Sequence, residues 1–327
     1  MDDNIEKHLV NLKQFKIFKK YEHNRCQFRF IKNDKGEKYV AKYNTDTLDP
    51  DREKLFLREL KILLSFQHST NIKLLGFSLI DMEGRNNLTV ITKYMEKGSI
   101  SDLLKQKTLS KLTSTQLQII LIGISFGMMI LHKQNVIHRD LKSENVFLDE
   151  NYHPCIADFD LSKFYDPENS YQQSNRYGTT MYMAPEVILG NDYDTKADVY
   201  SFGIMMFEII TGIPIQDELM KNKNLNGYGL AMKIVLDDLK PVIDSYTRER
   251  YSGLTNIFDH CLLREKDQRP TFREIFKKLS LLHDDYFKKY EDKFPFIAIN
   301  DQNTLDYDDD YIYCFENVDK DEVKSYV

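Results

Sequence analysis

Glycine, proline and closely spaced cysteines are scarce in this 327-residue sequence, and each shortage excludes a class of protein. Thirteen glycines and eight prolines leave no room for a large low-complexity segment. The cysteines form no CxxC pair and have no metal-ligand spacing, so we expect neither a zinc module nor a disulfide framework. A reducing intracellular compartment is the better interpretation for scattered thiols. The four cysteines are Cys26, Cys155, Cys261 and Cys314.

A targeting or membrane-spanning segment is also lacking. The N-terminal MDDNIEKHLV has neither a signal-peptide profile nor a myristoylation motif. The longest apolar stretch, residues 117–131, contains Gln118 and Ser125 and is shorter than the roughly 18–20 residues that a membrane span needs. The net charge of −6 argues against non-specific nucleic-acid binding. We therefore expect a cytoplasmic protein with no membrane span and no nucleic-acid partner.

The chain divides into a strand-rich first part and a helix-rich second part. FKIF, QFRFI and KYVAKY predict three strands, and the NDKG turn predicts a hairpin because Gly36 can adopt a positive φ. After Ser101 the pattern becomes helical, so a small β-rich lobe precedes a larger helical lobe, an α+β fold. The other predicted elements are a helix at about 52–66, strands at 74–80 and 88–95, and helices at 103–106, 115–133, 198–211, 228–238, 254–263 and 271–282.

Residues 284–327 form an acidic, tyrosine-rich tail with runs such as LDYDDDYIY and ENVDKDEV. We expect this tail to lie outside the folded domain and to be partly disordered. A merely solvated tail is the simpler interpretation. The alternative is that the tail docks on a basic N-terminal face and modulates access to the site. That face consists of Lys13, Lys16, Lys19 and Lys20.

The most informative stretch is residues 138–160, which reads HRDLKSEN and, after a short link, ADFDLS. Asp140, Asn145 and Asp158 have the spacing that holds metal-bound nucleotide phosphates beside an acceptor hydroxyl. The stretch resembles the catalytic core of eukaryotic protein kinases. GTTMYMAPE, ADVYSFG and QRPTF extend the resemblance over roughly residues 12–283. LLGFS, GSISDLL and ADVYSFGIMMFEIITG resemble the tyrosine-kinase-like group, a Ser/Thr branch of the family.

The resemblance implies a bilobal kinase domain, with the N-lobe at about 12–92, the hinge at 93–98 and the C-lobe at 99–283. It implies an ATP-dependent serine/threonine kinase that transfers the γ-phosphate to a Ser or Thr hydroxyl of a protein substrate. ATP and Mg²⁺ are the implied cofactors, with Mn²⁺ as an alternative cation. Nothing in the sequence indicates an oligomeric state.

The resemblance also assigns catalytic roles. Asp140 is expected to accept the hydroxyl proton and to orient the acceptor oxygen. Lys142 stands where kinases that act on Ser or Thr place a lysine near the γ-phosphate. Asn145 and Asp158 are the implied ligands of Mg²⁺, a hard cation that prefers oxygen donors.

The implied nucleotide site depends first on Lys42 of YVAKY. An ion pair with Glu59 of FLREL would orient Lys42 onto the α- and β-phosphates. The implied positions around the adenine ring are Val40 and Phe147 above and below it, Thr92 as the gatekeeper, and Lys93 and Met95 in the hinge.

Three further contacts are implied by the family pattern. Thr179 lies where it would bond the catalytic aspartate and lysine. Glu186 would pair with Arg269, and Asp198 would brace the backbone of the HRD motif from a buried helix.

Regulation is indicated by Arg139, which directly precedes the catalytic aspartate. A phosphate on the activation segment, added by an upstream activating kinase, would pair with Arg139 and nearby basic groups and order the loop. An ordinary polar loop residue is an equally good interpretation of each candidate acceptor. The candidates are Ser170, Tyr171, Ser174 and Tyr177.

The phosphate-covering loop is the larger of two departures from the family pattern. The family uses a G-x-G-x-x-G loop, whereas this chain reads YEHNRCQF and has no glycine before Gly36. By register from Lys42, Glu22, Asn24 and Gln27 replace the three glycines, whose backbone N–H groups would otherwise approach the phosphates closely. Glu22 would place a negative charge near the phosphates. We therefore expect a weaker or rearranged grip on ATP.

The second departure is Asp160, which stands where the family has a glycine. Aspartate tolerates a left-handed φ better than most residues, so the turn can survive. Its carboxylate would either assist a magnesium ion or repel phosphate. A competent kinase is the favoured interpretation because Lys42, Asp140 and Asp158 remain. The alternative is a pseudokinase, a weakly nucleotide-binding interaction or scaffold module.

Overall fold

The computed structural model describes residues 6–23, 26–44, 50–66, 68–165, 178–221 and 226–288. A β-sheet with one long helix forms the N-terminal lobe, and mostly helices form the C-terminal lobe. The predicted α+β class with a small β-rich lobe and a larger helical lobe is therefore confirmed. The described residues do not include most of the acidic tail, so its predicted separation from the domain and its docking on the basic face lie outside them.

The N-lobe is built on a five-stranded antiparallel sheet with the order β1-β2-β3-β5-β4. The predicted hairpin is present, because Gly36 has a φ of 83° and the side chain of Asn33 accepts hydrogen bonds from the N–H groups of Lys35 and Glu37. The strands are β1 (Lys16–His23), β2 (Cys26–Lys32), β3 (Lys38–Asn44), β4 (Leu74–Ser78) and β5 (Thr89–Lys93).

Helix α1 (Pro50–Ser65) joins the sheet to the main core. Leu60 and Leu63 are buried in that core, whereas Leu55 remains exposed. The helix is thus amphipathic, and its inner face places Glu59, an 8% exposed residue, between the sheet and the C-lobe.

Residues 8–10 pack alongside β4. The N–H of Val10 donates to the carbonyl of Phe77, and the N–H of Phe77 donates to the carbonyl of His8. Gly76 permits this approach, because a Cβ at this position would overlap the His8 carbonyl oxygen. The packed N-lobe therefore includes residues before position 12, where the predicted domain begins.

The C-lobe is organised around two buried helices, α3 (Ser114–Lys133) and α5 (Lys196–Thr211). A capping box between Thr113 and Gln116 starts α3. The other helices are α2 (Ile100–Lys105), α4 (Pro185–Leu189), α6 (Ile215–Met220), α7 (Gly227–Leu236), α8 (Ser245–Arg250), α9 (Ser252–Cys261) and α10 (Phe272–Lys288).

Five short strands lie near the start of the C-lobe and position the catalytic segments. Three of them form one sheet in the order β6-β8-β9, and β7 pairs with β10. They are β6 (Gly98–Ser99), β7 (Val136–Ile137), β8 (Val146–Leu148), β9 (Pro154–Ile156) and β10 (Lys163–Phe164).

Helix α3 corrects one argument from the sequence. The sequence argument was that the apolar stretch is too short to span a membrane. The helix that contains this stretch has 20 residues and is long enough, so length does not exclude that role. Among the described residues it is the only helix that passes this test of length and composition, and 72% of its apolar window is buried inside the protein. Burial, not length, is what marks α3 as a core helix.

Candidate active site

The catalytic loop is held from below by Asp198 of α5. This carboxylate accepts hydrogen bonds from the N–H groups of His138 and Arg139, at 2.8 and 2.9 Å, and contacts His132 Nε2 at 2.9 Å. Burial alone would raise the pKa of Asp198, but the hydrogen bond and charge of His132 outweigh it and lower the pKa. The predicted brace between Asp198 and the HRD backbone is confirmed.

Asp140 lies between two groups that fix its carboxylate. Lys142 Nζ is 2.7 Å from Oδ2, and the N–H of Thr179 donates to Oδ1 at 3.1 Å. Lys142 also donates to Thr179 Oγ1 at 2.9 Å, so the predicted contacts of Thr179 with both residues are present. Asn145 Nδ2 donates to the Asp140 carbonyl and side chain, at 2.8 and 3.1 Å. The three predicted catalytic-loop residues therefore form one connected cluster.

Asp158 is the residue with left-handed backbone in the second motif. Its φ is 67°, whereas Asp160 is not among the described residues with a positive φ. The expectation that Asp160 must tolerate a left-handed φ is therefore wrong, since the turn places that conformation two residues earlier. The Asp158 side chain is 38% exposed and contacts Lys42 Nζ through Oδ1 at 2.5 Å.

Lys42 of β3 lies among three carboxylates. Its Nζ is 2.5 Å from Asp158, 2.7 Å from Asp160 and 3.5 Å from Glu59. The predicted ion pair with Glu59 is present, but it is the longest of the three. Burial would lower the pKa of Lys42, yet the charges of Asp158 and Asp160 outweigh it and raise the pKa.

Glu59 and Asp160 respond differently to this crowding. Burial, followed by the charge of Asp160, raises the pKa of Glu59. Burial would also raise the pKa of Asp160, but the charge of Lys42 outweighs it and lowers the pKa. Of these two carboxylates, Asp160 lies closer to the Lys42 ammonium, at 2.7 Å against 3.5 Å for Glu59.

The donor chemistry of the cleft fits a divalent cation bound to phosphates. Asp158 offers a half-exposed carboxylate, and Asn145 offers an amide, the oxygen ligands that hard cations prefer. Carboxylate oxygens of Glu59, Asp158 and Asp160 lie within 4.8 Å of one another. Lys42 already contacts all three of these carboxylates, so the cluster of Glu59, Asp158 and Asp160 surrounds the lysine ammonium.

The predicted adenine-binding residues lie on the two lobes. Val40 and Thr92 face each other as paired residues of β3 and β5, and Phe147 of β8 is paired with Ser99 of β6. At the end of β5, the N–H of Lys93 donates to the carbonyl of Lys73 at 2.9 Å. Within the described part of the chain, the N–H of Met95 donates to no backbone carbonyl. The assignments of Val40, Thr92, Lys93, Met95 and Phe147 stay predictions.

The described part of the phosphate lid consists of the paired antiparallel strands β1 and β2. The β1–β2 ladder continues through the pairs Glu22–Gln27 and His23–Cys26, so only residues 24 and 25 remain outside the described strands. Tyr21 pairs with Phe28, and Phe28 pairs with Lys42, so these three side chains share one face of the sheet. The face over the Lys42 ammonium is therefore aromatic. Asn24, the second predicted glycine replacement, lies outside the described residues.

Glu22 and Gln27 lie on the opposite face of the lid. Side chains alternate between the two faces along a strand. Gln27 is adjacent to Phe28 in β2 and pairs with Glu22, so both side chains point away from the face that carries Lys42. Glu22 instead contacts Arg29 at 3.4 Å, and Arg29, which is 3% exposed, also bonds Gln27 and Glu83. The expected negative charge of Glu22 near the phosphates is therefore wrong. The alternation of Phe28, Arg29 and Phe30 was the signal in the sequence that could have revealed it.

A cationic group adjoins the activation segment. Arg139 donates to the carbonyl of Leu161 at 2.6 Å and to the Tyr193 hydroxyl at 3.1 Å. Burial, then the charges of Arg139 and Arg58, lowers the pKa of Lys163. The positive charges of both arginines therefore act on Lys163. The candidate phosphorylation sites, Ser170, Tyr171, Ser174 and Tyr177, lie outside the described residues.

Two buried ion or hydrogen-bond networks support the site from below. Arg269 donates two hydrogen bonds to Glu186, at 2.7 and 2.8 Å, which confirms the predicted pair. The sequence did not predict the second network, in which the Tyr182 hydroxyl donates to Glu208 at 2.7 Å and lies 3.0 Å from Ser143 Oγ. Burial raises the pKa of Glu208 to about 7. Tyr182 thus joins the end of the activation segment to the catalytic loop.

Comparison with known proteins gives one consistent result. Residues 26–280 match the protein kinase domain. A probable serine/threonine-protein kinase of Dictyostelium discoideum is 32% identical over 260 residues, which are 79% of this chain and 23% of that protein. Serine/threonine-protein kinase STY46 of Arabidopsis thaliana is 32% identical over 249 residues, 76% of this chain and 40% of that protein. The chain spans less than half of the length of these relatives.

Proposed function

The chain belongs to the protein kinase family, and from this premise we propose that it is an ATP-dependent serine/threonine kinase acting on a protein substrate. Members of this family use ATP and a divalent cation, and we propose Mg²⁺ here, with Mn²⁺ as the alternative. The observation that carries the proposal is the Asp140 carboxylate, fixed by Lys142 and Thr179 on a loop that Asp198 braces.

Each residue of this cluster has a role that its contacts support. Asp140 would orient the acceptor hydroxyl and accept its proton, and Lys142 would hold the γ-phosphate beside it. Asp158 and Asn145 would hold the divalent cation, which supplies positive charge to the phosphates when bound. Lys42 would contact the α- and β-phosphates. Little covalent chemistry is asked of the protein, since positioning and charge contribute most of the rate.

Serine and threonine are the proposed acceptors for two reasons. Lys142 contacts both Asp140 and Thr179, the arrangement that the family resemblance associates with Ser/Thr acceptors. The similar proteins of Dictyostelium and Arabidopsis are also named serine/threonine kinases.

An upstream kinase is the proposed source of control. Arg139 and Arg58 repel the positive charge of Lys163, which precedes in sequence the segment that contains Ser170 and Tyr171. A phosphate of nearly two negative charges would offset their repulsion and order that segment. The proposal does not distinguish among the four candidate acceptors.

A pseudokinase remains the second candidate because of the lid. The hairpin pairs regularly up to residues 24 and 25, and its inner face carries Tyr21 and Phe28 where close backbone approach to phosphate would need glycine. If the lid loses about 1–3 kcal/mol of transition-state stabilisation, the rate falls roughly 5- to 150-fold. That loss predicts a slow kinase and not an inactive one, since the catalytic loop keeps the residues of the family pattern.

Phosphate transfer from radiolabelled ATP tests the proposal directly. We expect incorporation with Mg²⁺ or Mn²⁺, its loss with EDTA, and a decrease of at least about 100-fold in Asp140→Asn, because the general base is removed. The surface variant Asp34→Asn is the matched control and is expected to retain activity. Thermal-shift titration with Mg-ATP reports binding separately.

The outcomes separate the two candidates. The pseudokinase would be supported if Mg-ATP shifts the melting temperature but neither the wild type nor Asp140→Asn incorporates phosphate. Both proteins would first be treated with candidate upstream kinases. Incorporation that survives unchanged in Asp140→Asn would show that another group, or a contaminating kinase, transfers the phosphate.

A further inference from the structure

Asp160 lies closer to Lys42 than Glu59 does. The two carboxylates approach Nζ at 2.7 and 3.5 Å, from the activation-segment side and from helix α1 respectively. The family resemblance places glycine at position 160, where no such contact can form. Lys42 in this chain therefore has a carboxylate partner that the family pattern does not supply.

Helix α1 also fixes the backbone at Asp160. Arg58 Nη2 donates to the Asp160 carbonyl oxygen at 3.0 Å, and Arg58 is the neighbour of Glu59 in α1. Helix α1 thus contacts the turn after Asp158 directly through the Arg58 guanidinium. It is also linked to that turn indirectly, because Glu59 and Asp160 both contact the ammonium ion of Lys42 in β3. A carboxylate anchored at its own backbone loses less freedom when it contacts the ammonium ion.

We propose that Asp160 is a positioning residue for Lys42 and shares with Glu59 the task of holding this lysine toward the nucleotide phosphates. The inference deepens the proposed function and rests on it for the role of Lys42. It assigns Asp160 to the lysine, in contrast to the two roles considered from sequence, assistance to a magnesium ion and repulsion of phosphate. Two carboxylates that share one ammonium ion act as partial substitutes for each other.

The test is a double-mutant cycle on ATP affinity, measured by isothermal titration calorimetry in EDTA and again in Mg²⁺. Asp160→Asn and Glu59→Gln each replace a carboxyl group with an amide of nearly the same shape. We expect each alone to raise the Kd of ATP about 2- to 5-fold, and the pair together to raise it by more than the product of the two single effects, because Lys42 then keeps only Asp158 of its three carboxylate contacts. Asp160→Glu is expected to restore the wild-type Kd to within about 3-fold in the Glu59→Gln background.

Two controls keep the cycle specific. In a Lys42→Met background, Asp160→Asn is expected to change the Kd by less than about 1.5-fold, since its partner is gone. Asp237→Asn, which removes one charge from a surface ion pair with Lys233, is expected to have no effect. Asp160→Gly, the residue of the family pattern, replaces Asp160→Asn if that variant unfolds.

Three results would overturn the assignment. The first is that the two substitutions change the Kd of ATP independently of each other. The second is that Asp160→Asn changes this Kd by the same factor in the Lys42→Met background. The third is that the two substitutions are coupled only in Mg²⁺, which would assign Asp160 to the cation. Failure of the proposed function is a different result: ATP binding with the expected coupling but no phosphate transfer leaves the positioning role intact. A wild-type protein that binds no ATP would refute both.

Discussion

Glu208 is expected to make the protein less stable as the pH rises through neutrality. The Glu208 side chain is buried in α5, where its oxygens accept hydrogen bonds from the Tyr182 hydroxyl at 2.7 Å and from the N–H of Ile215 at 2.9 Å. Burial raises its pKa to about 7 from an ordinary value of 4.5. The folded protein therefore retains a proton that the unfolded chain has already released at pH 6.

The sign and size follow from proton linkage. Between pH 4.5 and 7 the folded state binds more protons than the unfolded state, so the free energy of unfolding falls as the pH rises. A difference of about 2.5 pKa units, at 1.36 kcal/mol each, gives a loss of about 3 kcal/mol that is complete above pH 7 and absent below pH 4.5. Glu208→Gln has no charge to bury and is expected to escape this loss.

Urea denaturation of both proteins from pH 5 to 8.5 measures the effect. The difference in unfolding free energy between Glu208→Gln and the wild type is expected to rise by about 2–3 kcal/mol in favour of the variant across this range. Taking the difference cancels every other titrating group that the two proteins share. Glu96→Gln on the surface is the control, with a change under about 0.5 kcal/mol at each pH. A difference that does not vary with pH would refute the reasoning.

Two further substitutions test packing and pairing. Gly76→Ala is expected to cost about 1–3 kcal/mol in urea denaturation, because its Cβ would displace the His8 carbonyl. The same substitution should be nearly neutral after deletion of residues 1–10, and an equal loss in both backgrounds would contradict the explanation. Arg269→Met is expected to cost about 3–5 kcal/mol, because it leaves the Glu186 carboxylate, which is only 12% exposed, without its partner. Adding Glu186→Gln should recover part of that loss, and a purely additive further loss would argue against the pair.

The catalytic loop could be predicted from sequence because its geometry is local. Asp140, Lys142 and Asn145 lie within six residues of one another, and a loop that short leaves few ways to arrange them. The brace from Asp198 could also be predicted, although it is 58 residues away, because both ends carry recognisable motifs.

The lid could not be predicted because its faces depend on strand pairing. Glycine positions counted back from Lys42 placed Glu22 over the phosphates, whereas the observed pairing of Phe28 with Lys42 turns Glu22 outward. A shift of one residue exchanges the two faces of a strand, and β1 also contains an irregularity between Ile17 and Lys19. Counting positions from Lys42 therefore misassigned the face of Glu22, and only the alternation of Phe28, Arg29 and Phe30 separates the two faces in the sequence itself.

The partner of Lys42 was missed for a related reason. Lys42 and Asp160 are 118 positions apart, and only the folded arrangement of β3 and the turn after Asp158 brings them together. Sequence reasoning related Asp160 to its neighbour Asp158, and therefore to metal and phosphate. The sequence also did not show which residue of this turn adopts a positive φ. The left-handed conformation was expected at Asp160, but it belongs to Asp158.

The N-terminal residues have a consequence for self-association. An open sheet has two edges whose unpaired N–H and C=O groups can recruit strands from other molecules. Here β1 is one edge strand and covers the side of β2, and residues 8–10 cover the outer side of β4, so chain that precedes the recognisable family match at residue 26 covers both β2 and β4. A fragment cut at that boundary would expose β2 and β4 together. Such a fragment is expected to aggregate even though it retains every residue of the catalytic loop.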